Sequence, residues 1–154
     1  MLKISKLTDY GTLVMAHLAL KPETIHSATD VASATHVALP TVSKILKMLS
    51  VKELVVSTRG AKGGYRLARE PEAISIADVL CAMEGPVALT TCATGSGECE
   101  QESVCTMASH WQLINTVVSD ALSGLTLADL VQHSANKGGL RVSMVPLGET
   151  ARNH

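Results

Sequence analysis

The chain has few aromatic residues: two tyrosines, one tryptophan and no phenylalanine among 154 residues. Proteins that read single-stranded nucleic acid usually stack bases on aromatic side chains, so this class is disfavoured. No apolar run approaches the roughly 18 residues that a membrane-spanning helix needs. G-x-S-x-G, P-loop and H-E-x-x-H motifs are also missing. We therefore expect no membrane partner, no small-molecule substrate and no enzymatic activity.

The chain has a net charge of only −1, because its 13 Lys and Arg residues nearly balance its 14 Asp and Glu residues. The charges are nevertheless unevenly spread. Residues 1–70 carry ten basic and five acidic side chains, whereas residues 71–154 carry three and nine. A basic half of this kind is what a nucleic-acid contact needs. The apolar content of 46% is enough for a packed core, which excludes disorder over the whole length.

The N-terminal sequence has only a weak similarity to a secretory signal peptide. Lys3 and Lys6 precede the apolar stretch 13–20, but His17 interrupts that stretch and no small-residue cleavage site follows. We expect a cytoplasmic protein. In a reducing compartment its four cysteines are better interpreted as metal ligands or redox groups than as disulfides.

The first fifty residues predict three helices. The first spans about 8–20 with Thr8 as its N-cap, and the second spans 27–34 with a Ser27–Asp30 cap. The third begins at Pro40, which a first helical turn tolerates, and ends near residue 50. Its apolar residues recur at helical spacing. Two helices joined by so short a turn are typical of a helix-turn-helix.

A β-hairpin is predicted directly after these helices. The β-branched run 54–58 and the segment 65–68 flank a glycine-rich turn at 59–64. A hairpin in this place is the wing of a winged helix. A further helix then begins at a Ser75–Asp78 capping box and ends before Gly85.

The helix-turn-helix and wing predict the DNA contacts. A helix in the major groove reads base edges with its N-terminal residues, while flanking cations hold phosphates. A wing tip that carries arginine can enter the minor groove. The alternative is a helical bundle with a solvated basic face, but the order of the motifs favours binding to double-stranded DNA. The predicted contact residues are Thr41, Ser43, Lys44, Lys47, Arg59 and Lys62.

A long helix is predicted from about residue 104 to 123, followed by a short helical segment at 126–131 and a loose tail. Apolar residues in the long helix recur at spacings of 4, 3, 4 and 3, which is typical of two helices packed side by side. These residues are Met107, Trp111, Ile114, Val118 and Ala121.

Three cysteines in a polar loop predict a metal site. Cys92, Cys99 and Cys105 are separated by six and five residues. Structural zinc sites usually pair their ligands at C-x2-C or C-x4-C, so the wider gaps favour an iron–sulfur cluster over zinc or unliganded thiols. Cys81 lies in an apolar run and is interpreted as a small core residue.

The fourth ligand is predicted to be Asp9, with His110 as the alternative. A sensor benefits from one weak and exchangeable ligand, and a carboxylate is a weaker partner for iron–sulfur iron than a thiolate. Asp9 lies at the start of the first helix, where ligation would link the cluster to the DNA-binding domain. The alternative for Asp9 is a purely structural role, because a carboxylate at a helix N-terminus is stabilised by the helix dipole. His110 competes because imidazole serves iron in Rieske-type centres.

Four motifs in order resemble the winged-helix iron–sulfur regulators that include the IscR and NsrR proteins. The motifs are Leu-Thr-Asp-Tyr-Gly (7–11), Leu-Pro-Thr-Val-Ser-Lys-Ile-Leu (39–46), Arg-Gly-Ala-Lys-Gly-Gly-Tyr-Arg-Leu-Ala (59–68) and the three cysteines. The resemblance implies a homodimer, joined through the long helix, that binds a palindrome-like operator and senses cluster supply or oxidants. NsrR-type relatives use an Asp in the Thr-Asp motif. The segments 5–10 and 39–44 are most similar to the branch that regulates the SUF cluster-assembly operon.

Two departures from the resembled pattern limit what carries over. IscR-type proteins have a His three residues after the last cysteine, where this chain has Ala108. They also have an acidic and an amide residue on the recognition helix, where this chain has Ser43 and Lys44. Neither the fourth ligand nor the operator sequence is therefore implied by the resemblance.

The expected architecture is mainly α with a small β-hairpin. Residues 1–85 form the winged helix-turn-helix domain, 86–105 the cysteine-rich cluster loop, 106–131 the dimerisation helix region and 132–154 a flexible tail. The sequence is consistent with either a 2Fe-2S or a 4Fe-4S cluster. A zinc-dependent or metal-free winged-helix repressor is the main alternative. A small electron carrier is a further one, although a ferredoxin usually brings four cysteines and has no use for a basic winged helix.

Overall fold

The computed structural model describes residues 4–90 and 105–135, which form six α-helices, one short 3₁₀ turn and one hairpin. The mainly helical fold with a two-stranded wing is confirmed. The elements are α1 (Lys6–Ala19), α2 (Ala28–Thr35), α3 (Leu39–Val51), β1 (Val55–Thr58), β2 (Gly64–Leu67), the 3₁₀ turn Pro71–Ala73, α4 (Ile76–Glu84), α5 (Ala108–Ser123) and α6 (Leu127–Ala135). In the described ranges no helix is both long and apolar enough to cross a lipid bilayer.

Helix α1 begins two residues earlier than predicted, because its N-cap is Ser5 and not Thr8. The Ser5 hydroxyl accepts a hydrogen bond from the Thr8 backbone N–H at 3.2 Å. Thr8 is buried, and its own hydroxyl donates to Glu84 Oε1 at the end of α4. The prediction of Thr8 as the cap is therefore wrong: its hydroxyl makes a tertiary contact.

The helix-turn-helix is formed by α2 and α3. The predicted capping box is confirmed, since Ser27 and Asp30 bond each other's backbone N–H groups. His36 ends α2 in the left-handed conformation, with φ of 56° and ψ of 25°, which turns the chain sharply. Four apolar residues of α3 are then fully buried in the core, namely Val42, Ile45, Leu46 and Leu49.

The wing packs back onto the segment between α1 and α2. Strands β1 and β2 pair antiparallel, with Val55 opposite Leu67, and both of these side chains are buried. Tyr65 in β2 exchanges two backbone hydrogen bonds with His26, at 2.8 and 2.9 Å. Because His26 immediately precedes the α2 cap, these bonds fix the wing relative to the helix-turn-helix.

The His26–Tyr65 contact requires glycine at position 64. A Cβ there would overlap the carbonyl oxygen of His26. We expect Gly64→Ala to lower the free energy of unfolding by about 2 kcal/mol, because the wing must move away. Gly124→Ala is the control, since its Cβ would lie 3.4 Å from the nearest atom and its φ of −77° suits alanine. Equal urea midpoints for the two variants would contradict the assignment.

Helix α6 packs against α1 and completes the core. Backbone bonds join Ile76 N–H to the Leu125 carbonyl at 2.8 Å and Leu127 N–H to the Ile74 carbonyl at 3.0 Å. Leu127 is fully buried. The helix continues to Ala135, beyond the predicted end at 131, so residues 132–135 are not the loose tail expected there. Residues 136–154 lie outside the described residues.

Helix α4 corrects the prediction for Cys81. The Ser75–Asp78 capping box is confirmed, with hydrogen bonds of 3.0 and 3.1 Å. The helix buries Ile76, Val79, Ala82 and Met83. Cys81 is exposed and is not a core residue, because it lies off this buried face.

Candidate nucleic-acid interface and metal site

The exposed face of α3 carries every residue that was predicted to read DNA from this helix. Ser43, Lys44 and Lys47 are exposed, and Thr41 is half-buried in the first turn. The apolar residues on the opposite face of α3 are buried in the core, so packing fixes the orientation in which the helix presents these side chains. This placement suits contacts with bases and phosphates.

The wing adds two exposed cations. Arg59 and Lys62 lie in the turn between β1 and β2, and both are exposed. Gly60 in the same turn has φ of 114°, a conformation that glycine adopts without strain. Within residues 4–90 and 105–135, the ion pair found is Arg69–Asp78 at 3.8 Å. The predicted DNA-contacting cations therefore have no carboxylate partner in the described part of the chain, which leaves them available to phosphates.

Of the three cysteines predicted as ligands, Cys105 is described. It is a free, half-buried thiol three residues before α5. Cys92 and Cys99 lie outside the described residues. In the ranges that are described, no group of three or more His, Cys, Asp or Glu side chains is arranged to hold a metal ion.

Both candidates for the fourth ligand are exposed. Asp9, in the first turn of α1, lies at the edge of an apolar cavity between α1, α4 and the α5–α6 connection. Its carboxylate has no hydrogen-bond partner among the described residues. His110 Nδ1 lies 3.2 Å from the carbonyl oxygen of Thr106. Donation from Nδ1 would leave Nε2 unprotonated, the form that binds metals.

Two polar side chains that the sequence analysis missed, Asn115 and Glu84, fix the chain before Cys92. Asn115 in α5 accepts a hydrogen bond from Leu89 N–H and donates one to the Val87 carbonyl, both at 3.1 Å. The available signal was an amide side chain that directly follows Leu113 and Ile114 and precedes Val117 and Val118. Glu84 accepts bonds from the Thr8 hydroxyl and the Ser5 N–H, and these bonds hold the pKa of Glu84 below its ordinary value.

The fold and the basic face together define a winged-helix DNA-binding protein. The profile of the Rrf2 family, described as iron-dependent transcriptional regulators, matches residues 4–133. The chain belongs to the Rrf2 family of transcription regulators. The predicted family is thereby confirmed.

Individual relatives agree with this assignment. The chain is 27% identical over 132 residues to the HTH-type transcriptional regulator IscR of Vibrio campbellii, covering 85% of this chain and 78% of that protein. Among solved structures it is similar to CymR, the global cysteine regulator of B. subtilis, with 31% identity, a TM-score of 0.68 and coverage of 86% and 98%. It is also similar to T. potens IscR, with 28% identity, a TM-score of 0.67 and coverage of 88% and 90%. The family model and the Vibrio campbellii and B. subtilis relatives are described as regulators, which confirms the prediction that the chain is not an enzyme.

Proposed function

We propose that this protein is an iron–sulfur-cluster-sensing transcription regulator that acts in the cytoplasm and controls SUF-type cluster-assembly genes. The observation that carries the proposal is the position of Cys105. A free, half-buried thiol lies three residues before α5, and the sequence places two further cysteines within the thirteen residues before it. Membership of a family described as iron-dependent supports an iron-containing group at this loop.

The residues that would hold the cluster are Cys92, Cys99, Cys105 and Asp9. Thiolates are the usual ligands of iron–sulfur iron, and the exposed, unbonded Asp9 carboxylate is a suitable weak fourth ligand. When bound, the cluster would supply an oxidant-sensitive group. The protein's own contribution is to orient these donors and to transmit their position to α3.

The described contacts supply a route for that transmission. Glu84 ties the end of α4 to the first turn of α1, one residue from Asp9. Asn115 bonds residues 87 and 89, which precede Cys92, to α5, which follows Cys105. Because α1 packs directly on α3, a change at the cluster loop would act on the recognition helix through one layer of packing.

Dimerisation through α5 is part of the proposal. Large apolar side chains of α5 are exposed in the single chain, including Leu113 at 65%, Val117 at 49% and Ile114 at 42%. A contiguous apolar face of this kind favours a protein partner. A two-fold dimer would place two copies of α3 in successive major grooves, with half-sites centred roughly 34 Å apart.

A charge on the apolar face of α5 is expected to separate the dimer. Ile114→Lys buries an unpaired ammonium in the interface, so the dimer dissociation constant should rise at least ~100-fold. Thr116→Lys adds the same charge at an exposed polar position of the helix and should change little. Sedimentation equilibrium measures both. A dimeric Ile114→Lys protein would show that α5 is not the interface.

Asp9→Ala is expected to alter the visible absorption and circular dichroism of protein isolated without oxygen, because one iron loses its ligand. His110→Ala should leave both spectra unchanged. His133→Ala, an exposed histidine on α6, is the control for loss of an imidazole. If His110→Ala alone changes the cluster bands, His110 is the fourth ligand and Asp9 is not.

The experiment that tests the cofactor is metal analysis of the full chain purified without oxygen. The proposal predicts brown protein with iron and acid-labile sulfide, and the nuclearity follows from their ratio to protein. Colourless protein with stoichiometric zinc would support a zinc-dependent repressor. Colourless protein without metal would support a metal-free repressor, and either result overturns cluster sensing.

A further inference from the structure

We infer that the tip of α3 reads thymine methyl groups, and that Leu39 is the side chain that contacts them. The inference rests on the proposed DNA binding and goes beyond it, because it names the base that determines specificity. It is carried by an apolar side chain that is exposed at the N-terminal end of α3, the end that reaches base edges in a helix-turn-helix.

Leu39 is the first residue of α3 and is 42% exposed. Pro40, the next residue, is also exposed. The same helix buries Val42, Ile45 and Leu46 completely. An aliphatic pair at the leading end of the helix is therefore not required by the core, and it occupies the end that reaches base edges in a helix-turn-helix.

The other residues of α3 lack the side chains that usually read two of the four bases, cytosine and adenine. Between Leu39 and Val51 there is no Asp or Glu, the side chains that accept from cytosine N4. There is also no Asn or Gln, the side chains that bond adenine in a bidentate way. Lys44 matches the acceptors of guanine, and an apolar side chain matches the C5-methyl of thymine.

Helical spacing places these chemistries in a row. Leu39 and Ser43 are four residues apart and share one face of α3, and Lys47 follows them by one more turn. Along this face the side chains are therefore first apolar (Leu39), then hydroxyl-bearing (Ser43), then cationic (Lys47). This order predicts an operator half-site in which thymine contacts the tip of the helix and guanine or phosphate contacts lie towards its middle.

The test begins with selection of an operator from random duplexes by the full-length protein. Each thymine of one half-site is then replaced singly by deoxyuridine, which removes only the methyl group. At least one replacement should weaken binding about fourfold, the factor that corresponds to roughly 0.8 kcal/mol for a methyl-sized group. Leu39→Ala should bind the thymine and deoxyuridine operators equally.

Val51→Ala is the matched control, because Val51 is 73% exposed at the opposite end of the same helix. This variant should keep the fourfold preference for thymine. The inference is overturned if no deoxyuridine replacement weakens binding, or if Leu39→Ala keeps the preference. If no duplex is enriched by the wild-type chain, it is the proposed DNA binding that fails, and the inference falls with it.

Discussion

Replacing Cys92, Cys99 or Cys105 by Ala is expected to remove the cluster from protein isolated without oxygen, whereas Cys81→Ala should retain it. Each thiolate neutralises part of the iron charge, and residues 92–105 contain no other cysteine to replace it. Loss of a supporting residue around a metal commonly lowers affinity ~10- to 100-fold, and loss of a direct ligand should exceed that. Visible absorption and iron content measure the effect.

Cys81→Ala serves as the control because Cys81 is exposed on α4 and its removal leaves no cavity. Circular dichroism in the far ultraviolet should show that all four variants fold. A colourless Cys81→Ala protein beside a brown Cys99→Ala protein would reverse the ligand assignment.

Lys44→Ala and Arg59→Ala are each expected to weaken operator binding about tenfold at moderate salt. Each also removes one positive charge from the interface, so the slope of log affinity against log salt should become shallower by about 1 if that charge contacts a phosphate. Lys44 lies on α3 and Arg59 on the wing, so the pair tests both parts of the proposed interface. Fluorescence anisotropy across a salt series gives affinity and slope together.

Arg69→Ala is the control for this series. Arg69 is a cation outside the predicted interface, and its charge is already matched by Asp78 at 3.8 Å. Its affinity and slope should equal those of the wild type. If Lys44→Ala and Arg59→Ala also bind as the wild type does, the assignment of α3 and the wing to the grooves is wrong.

The sequence predicted best where the determinants of structure are local. The capping boxes at Ser27 and Ser75 act over three residues, and the structure contains both. The hairpin followed from two β-branched or aromatic runs around a glycine-rich turn, and its strands lie where predicted. Local hydrogen bonding and backbone freedom decide these elements, so periodicity and turn residues were enough.

Predictions failed where a distant partner decides the outcome. Thr8 has the chemistry of an N-cap, but Glu84, 76 residues away, takes its hydroxyl and leaves the cap to Ser5. Cys81 lies in an apolar run, yet which face of α4 is buried depends on how that helix packs against α1 and α3. The extension of α6 to residue 135 accompanies its packing on α1 in the same way.

In the candidate site, too, local features could be predicted from the sequence and contacts between distant residues could not. Exposure of Lys44 and Lys47 could be expected because they lie on α3 away from its buried apolar residues. Exposure of Arg59 and Lys62 could be expected because they lie in the hairpin turn. The contacts of Asn115 with Val87 and Leu89 could not be expected, because they join residues 28 and 26 positions apart. Ligation by Cys92 and Cys99 stays a prediction, since both lie outside the described residues.

The most direct test of cluster sensing is the operator affinity of one protein preparation measured with and without its cluster. Protein isolated without oxygen is divided, and the cluster of one half is removed by chelation under reducing conditions before both halves are titrated with the same duplex. Coupling between a cofactor and a second site typically spans about 1–3 kcal/mol, so the two dissociation constants should differ roughly 5- to 150-fold. The difference should vanish in Cys99→Ala protein treated in the same way. Equal affinities for the cluster-loaded and cluster-free wild type would contradict cluster sensing, even if the chain binds both iron and DNA.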